Sequence, residues 1–369
     1  MVSRLLSSLD ARLARTRDPL QHACLSAERA TLLARQGRLD EASAELDRIR
    51  ARYASKPNAL VTAWVCLGEG MVAFSANLGG AAQDKFLRAH ALGSASGNQA
   101  IICLSSAWLA HMLYLNQDFK PMIMHLGVAL TRAAPEDYLS RERSSLVVAQ
   151  AYHWANRFDL AQPWYEQAHS YATGLGDETL LSALMHNMHW LHMSEARRRS
   201  LLGIEASPSL PRILLGAEAA GNFDERVGTQ SLKNLVPILR AHILSVLGRY
   251  EDALTLFEAN LGEALKQGLA RTECSTLAEI AWCNVAAGRL EEAGRFATAA
   301  KESLTACSQP DELAATHGRL AQAFRILNNE VAAENHASLA QSEWRKHETA
   351  QVELSELLSS SQALGRRQP

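Results

Sequence analysis

A six-residue pattern recurs along the chain and constrains its fold more than any other feature. It reads Gly37-Arg38-Leu39-Asp40-Glu41-Ala42, Gly248-Arg249-Tyr250-Glu251-Asp252-Ala253 and Gly288-Arg289-Leu290-Glu291-Glu292-Ala293. Looser copies are Gln117-Asp118-Phe119-Lys120-Pro121-Met122, Asn156-Arg157-Phe158-Asp159-Leu160-Ala161 and Asn328-Asn329-Glu330-Val331-Ala332-Ala333. The leading Gly or Asn supplies a left-handed residue that ends one helix. The Leu or aromatic that follows packs into the turn. An acid then falls in the first turn of the next helix, facing the positive end of its dipole. The closing Ala lets two helices approach closely. The hexamer predicts a helix–turn–helix junction wherever it occurs.

From Gln117 through Asn156, Gly248, Gly288 and Asn328 the intervals are 39, 92, 40 and 40 residues. The long interval fits two units with an insertion. Leu78-Gly79-Gly80 stands where a junction is due between Gly37 and Gln117. About eight units with a period near 40 follow, the signature of a helical-repeat array. Composition agrees: the chain is 47% hydrophobic, enough for an extended core, and β-branched residues are too sparse for a sheet.

Trp64-Val65-Cys66-Leu67-Gly68 carries a first-helix signature of Trp followed by Leu-Gly. Ala149, Tyr152, Ala161, Tyr165 and Ala168 give the small/aromatic pattern of a complete repeat. Ala241, Ala253 and Phe257 repeat it, as do Ala321, Phe324, Ala333 and Ala340. On these residues the chain resembles tetratricopeptide-repeat (TPR) proteins over positions 20–345. The family unit is 34 residues; the longer period resembles the degenerate repeats of bacterial sensory and regulatory proteins, and most copies lack the closing Pro. The resemblance implies an all-α, right-handed α-solenoid of about eight TPR-like helix-turn-helix units. Helix pairs are expected near 20–52, 58–93, 99–132, 140–173, 177–220, 230–267, 270–305 and 311–342. The expected organisation is an N-terminal cap or arm over 1–19, the solenoid over 20–345, and a C-terminal helix with a frayed tail over 346–369. The unit near 177–220 is irregular, because Pro208 and Pro211 break it; Ser209 is expected to cap a short helix that follows.

In such a solenoid the first helices line a concave face. The register places Trp108, His111 and Tyr114 there in the third unit, and Gln150, His153 and Trp154 in the fourth. Later units contribute His242, Glu279, Trp282, Arg319, Gln322 and Arg325. Aromatic and imidazole groups give large contact area at low entropic cost and still offer hydrogen bonds. Such a groove suits a peptide or an apolar helix. The competing reading packs the same side chains between neighbouring repeats, since a one-residue register shift turns a helix by about 100°. Some tetratricopeptide proteins grip a C-terminal carboxylate with a Lys/Asn clamp. Leu104, Ala107, Leu146 and Val147 hold its places here, which disfavours a receptor for chaperone tails.

His186-Asn187-Met188-His189-Trp190-Leu191-His192-Met193 is the densest local motif. Spacing of three puts His186 and His189 on one helix face, with His192 about 60° further round. Imidazoles so placed can ligate a transition metal, with a Met as soft ligand. No acid or cysteine is expected beside them within this helix, so a His/Met-rich core helix is the expectation, with no metal and no other cofactor assigned.

Net charge is −2 and the sequence pI is about 6.7, giving no bulk attraction to nucleic acid. Arg197-Arg198-Arg199 is a short basic run, expected as a solvated helix end. The segment carrying Arg4, Arg12, Arg15 and Arg17 is too short for a DNA-binding helix-turn-helix domain. Six scattered cysteines without a C-x-x-C pair read as thiols of a reducing compartment. No stretch is expected to reach the ~20 apolar residues of a membrane helix, and the N-terminus carries an acid too early for a signal peptide. A cytoplasmic protein is expected. Nucleophile-elbow, zincin, P-loop and dinucleotide-binding signatures are absent, and the acid pairs Asp40/Glu41 and Glu291/Glu292 are explained by helix starts.

Val352, Leu354, Leu357 and Leu358 give the C-terminal stretch a partial helical period. It reads as a capping helix or as a short coiled coil that forms a homodimer. The function expected is a non-catalytic adaptor or regulatory scaffold for a protein or peptide partner. The chain resembles repeat regions that precede signalling output domains, including some bacterial diguanylate cyclases; no output domain is recognisable, so it is expected to act as a free-standing sensor or scaffold. The alternative is a small-ligand, metal or haem sensor built on the histidine-rich helix.

Overall fold

The computed structural model describes residues 3–77, 80–204, 210–228, 233–307 and 309–361. Among them the chain is all α, with no strand, and its helices alternate as antiparallel pairs after one unpaired helix. That unpaired helix is α1 (Arg4–Arg15). The pairs that follow are α2 (Pro19–Arg35) with α3 (Leu39–Arg52), α4 (Ala59–Asn77) with α5 (Ala81–Ser96), α6 (Gln99–Leu115) with α7 (Phe119–Arg132), and α8 (Tyr138–Trp154) with α9 (Phe158–Leu175). Then come α10 (Glu178–Leu201) and α11 (Leu210–Val227), α12 (Leu235–Val246) and α13 (Tyr250–Lys266), α14 (Glu273–Ala286) and α15 (Leu290–Ser303), and α16 (Pro310–Ile326) and α17 (Glu330–Ser360). Eight helix pairs among the described residues match the expected repeat layout. The fold is of the α-solenoid, helical-repeat class.

The hexamers end helices as their chemistry demands. Gly37, Gly248 and Gly288 take φ of 83°, 76° and 77°; Gln117, Asn156 and Asn328 take 56°, 59° and 57°. In each turn the next residue's N–H reaches back five residues to a helix carbonyl, as in Arg38 N to Leu33 O (3.0 Å) and Arg249 N to Leu244 O (2.9 Å). The first helices α2, α6 and α8 open on side-chain caps. Asp18 accepts from the N–H groups of Leu20 and Gln21, Asn98 from Ile101, and Asp137 from Ser140. The closing alanines Ala42, Ala161, Ala253, Ala293 and Ala333 are all buried. The Leu-Gly signature has a steric cause: a Cβ on Gly68 would lie 2.7 Å from Leu46 Cδ2, and one on Gly70 2.6 Å from Phe86 Cε1.

The contact pattern divides the chain into two units. The first takes in the described residues of Met1–Leu184, Phe223–Ser231 and Glu353–Pro369; the second those of Met185–Asn222 and Leu232–Val352. In the first, Leu46, Met71, Phe86, Leu109 and Trp108 form a continuous apolar core. In the second, Ile238, Ala241, Ala253, Phe257 and Ile280 do so. The junction expected at 78–80 lies outside the described residues except for Gly80, as do Ser209, Pro208 and the tail from 362. Pro211 falls in the first turn of α11.

The membrane expectation needs one correction. Helix α4 is long and apolar enough to cross a bilayer by length and composition. Its apolar residues Val61, Val65, Leu67 and Met71 are buried, because α4 is sandwiched in the stack of unit 1. The C-terminal helix runs to Ser360, and Leu354 and Leu358 of the expected dimer seam are buried in this chain.

Candidate functional site

The first helices of unit 1 share a face, and charged side chains are buried on it. Arg35 of α2 pairs with Asp177 at 2.8 Å and lies 3.9 Å from Glu142 of α8. All three are buried, so Coulomb attraction here works in a low dielectric. Burial, reinforced by Asp177, pushes the Glu142 carboxyl up to about 8, against the pull of Arg35 and Arg143.

Beside this cluster the guanidinium of Arg143, only 5% exposed, lies over the Trp108 ring at 3.9 Å. That is cation–π distance. Its Nε has no hydrogen-bond acceptor among the described residues. Trp108 is held on its other sides by Phe86 (5.7 Å, stacked) and Phe74 (5.3 Å). A narrow cleft opens over this pair, walled by Trp64, Leu104 and Leu139 and covered by Leu5 and Leu9 of α1. A buried cation on an aromatic floor with apolar walls can hold an anionic or carbonyl acceptor carried on an apolar segment.

Among the residues singled out from sequence, Trp108 lines this cleft. His111 packs edge-on to Trp108 and Phe74. Tyr114 Oη donates to the Gln150 carbonyl at 3.5 Å, and Gln150 is buried. His153 meets Tyr165 Oη at 3.1 Å and the edge of Phe158, while Trp154 sits on Phe119. These six side chains belong to the packing between helices of unit 1; Tyr114 and Trp154 remain half-buried.

The corresponding face of unit 2 carries a second buried ionic network. Arg319 Nε donates to Glu279 at 2.8 Å, and its Nη1 to Gln322 at 2.8 Å. Its guanidinium stands 5.4 Å from the half-buried Trp282 ring. Arg197, from the second half of α10, donates to both carboxylate oxygens of Glu312 at 3.0 Å and to Ser275 Oγ at 3.2 Å. His242 lies 3.4 Å from Thr276 Oγ1, and burial lowers its imidazole to about 3, with Arg197 adding. Arg325 is exposed.

The histidine motif occupies α10, which corrects one expectation: the helix also carries two acids, Glu178 and Glu195, outside the motif. His186 is buried, and His189 Nε2 lies so close to Gly216 that a Cβ there would clash with it. Burial, then His186 and His192, lowers His189 to about 4. Among the described residues no three His, Cys, Asp or Glu side chains converge as a metal-ligand set.

Sequence reasoning missed Arg35, Glu142, Arg143 and Asp177, and it read Arg197 as part of a solvated helix end, whereas the side chain is buried against Glu312. One signal was present: Arg141-Glu142-Arg143 places three consecutive charges inside a first helix, where a repeat normally keeps apolar or small residues.

No protein-family model and no curated relative matches the sequence. Among solved structures, the chain is similar to a Rap protein crystallised in complex with Competence and Sporulation Factor. The TM-score is 0.55 at 13% identity, over 95% of this chain and 92% of that one. At this identity the likeness is one of fold, and it joins the chain to the all-α helical-repeat proteins.

Proposed function

We propose that the protein is a non-catalytic regulator that holds a peptide or protein segment on the first-helix face of its repeats, in a bacterial-type signalling role. The observation that carries this reading is the buried Arg143 guanidinium laid on Trp108 at the base of an apolar cleft, with its Nε unsatisfied. Burying such a group without an acceptor costs free energy, and a bound segment offering a carboxylate or carbonyl recovers it. The fold likeness to a Rap protein that carries a bound factor supports the same reading. Tyr114, Trp154, Trp282 and Gln322 are proposed as contacts at the rim of the repeat faces. His111, Gln150, His153, His242 and Arg319 hold the faces rigid. The six free thiols fit a reducing cytoplasm.

Affinity capture with wild type and Arg143→Met tests the proposal. A partner retained by wild type and lost by Arg143→Met, with far-UV helicity unchanged, is the expected result. Equal capture by both proteins removes Arg143 from the site and overturns the reading.

A further inference from the structure

Helix α1 stands outside the repeat pairs and lies on the first-helix face of unit 1. Leu6 and Leu9 are 4% and 2% exposed, and Leu5 and Leu13 pack beside them on the same core. Leu5 and Leu9, one turn apart, close the cleft above Trp108 and Arg143. Three exposed ion pairs line the helix along its length. Asp10 accepts from Arg29 at 2.6 Å, Arg12 is 3.5 Å from Glu28, and Arg4 reaches Glu178, at the start of α10, at 3.8 Å. A Cβ on Gly176 would lie 3.0 Å from that of Arg4. Helix α1 therefore runs across the face that α2, α4, α6 and α8 share.

It is an imperfect occupant. Its two leucines seal the cleft without offering Arg143 Nε an acceptor. At 12 residues it is marginal as an isolated helix, and its surface ion pairs contribute little. Only Thr16, Arg17 and Asp18 join it to α2, so it stays near its seat after release.

We propose that α1 is a built-in ligand of this face, seated where an amphipathic helix of a partner protein docks, and that partner binding displaces it. The partner segment carries leucines one turn apart, a basic residue before the first of them to meet Glu178, and an acidic side chain on the same face for Arg143. The inference rests on reading the face as a binding site.

The probe is a fluorescently labelled synthetic peptide of residues 3–16, titrated by anisotropy into full-length chains. Wild type binds it weakly. Leu9→Ala, which loosens the resident helix, binds at least tenfold more tightly. Leu5→Ala, at a half-buried position, does so to a smaller extent and serves if Leu9→Ala is misfolded by circular dichroism. An Arg4→Cys/Gly176→Cys chain binds no peptide when oxidised and recovers binding on reduction. Equal affinity in wild type, both alanine variants and the oxidised chain overturns the inference, as does absence of binding throughout. Dimerisation of Leu9→Ala by exchange of α1, seen by light scattering, also overturns it, because the site's occupant is then a second copy. A captured partner that binds wild type and the oxidised chain alike overturns displacement while leaving the binding face itself standing.

Discussion

The Arg143 guanidinium lies 3.9 Å above the Trp108 ring, and both side chains are buried in unit 1. The two have different roles, which separate on mutation. Trp108 is wedged between Phe74, Phe86 and Arg143, so Trp108→Ala should lower unfolding free energy by ~3–5 kcal/mol. Arg143→Met removes a buried charge with an unsatisfied nitrogen and fills similar volume, so its stability should stay within ~1–2 kcal/mol of wild type. Urea denaturation of the two variants checks the contrast. A large loss in Arg143→Met would assign the guanidinium to the fold.

Glu142 gives a pH signature. Its carboxyl is raised from 4.5 to about 8 by burial and by Asp177. A group whose folded value is raised contributes fully below its unfolded value and loses that contribution as pH rises through the folded one. Its stabilisation is therefore present below pH 4.5 and gone above about 8. Glu142→Gln mimics the protonated form. The difference in melting temperature between Glu142→Gln and wild type should be small at pH 5 and grow in favour of the variant up to pH 8. A constant difference across that range would mean the carboxyl is ionised throughout.

The repeat architecture was legible because its determinants are local. The left-handed residue, the acid of the first turn and the closing Ala sit within six consecutive positions, and each acts on its own junction. The first-helix faces were not legible in the same way. Trp108 and His111 stand on the helix expected to present them, yet the neighbours that cover them, Phe74, Phe86 and Arg143, come from three other helices. Arg35 meets Asp177 across 142 positions of sequence, a closure that no local period encodes. Helix α1 shows the same limit: the stripe of Leu5, Leu6, Leu9 and Leu13 announces an amphipathic helix, but nothing in it says that the helix lies on the first-helix face instead of capping the end.

Gln117 holds a φ of 56° at a junction where three other copies use Gly. A left-handed conformation costs a residue with a Cβ ~1–2 kcal/mol, partly offset by the larger unfolded-state entropy of Gly. Gln117→Gly should therefore stabilise the chain by about 0.5–1 kcal/mol. Gly248 is the converse case. A Cβ there meets no neighbour within 4 Å, so Gly248→Ala should lower stability by about 1 kcal/mol through the backbone alone. Differential scanning calorimetry of both variants reads the two signs.

Ala253 is fully buried among Ile238, Ala241 and Phe257, where α12 and α13 meet. An Arg at this position overpacks the junction and buries an unpaired charge. Ala253→Arg should cost about 3 kcal/mol or more, while Ala253→Gly, which adds no volume, should cost about 1 kcal/mol. An unchanged thermal transition in Ala253→Arg would place this alanine outside the helix–helix contact.

Arg319 and Glu279 join α16 to α14 through a 2.8 Å contact, with side chains 3% and 0% exposed. Burial opposes the ionised carboxyl of Glu279, but Arg319, aided by His242 and Ser245, holds it below the ordinary carboxylate range. Its contribution is present above pH 4.5 and lost as pH falls through the lowered folded value. Removing one partner strands the other charge in the interior. Arg319→Met and Glu279→Leu should each cost ~3–5 kcal/mol, and the double variant should recover most of that loss. A double-mutant cycle in denaturant measures the recovery. If the two single costs simply add, the pair is not coupled, and the rigidity of this face has another source.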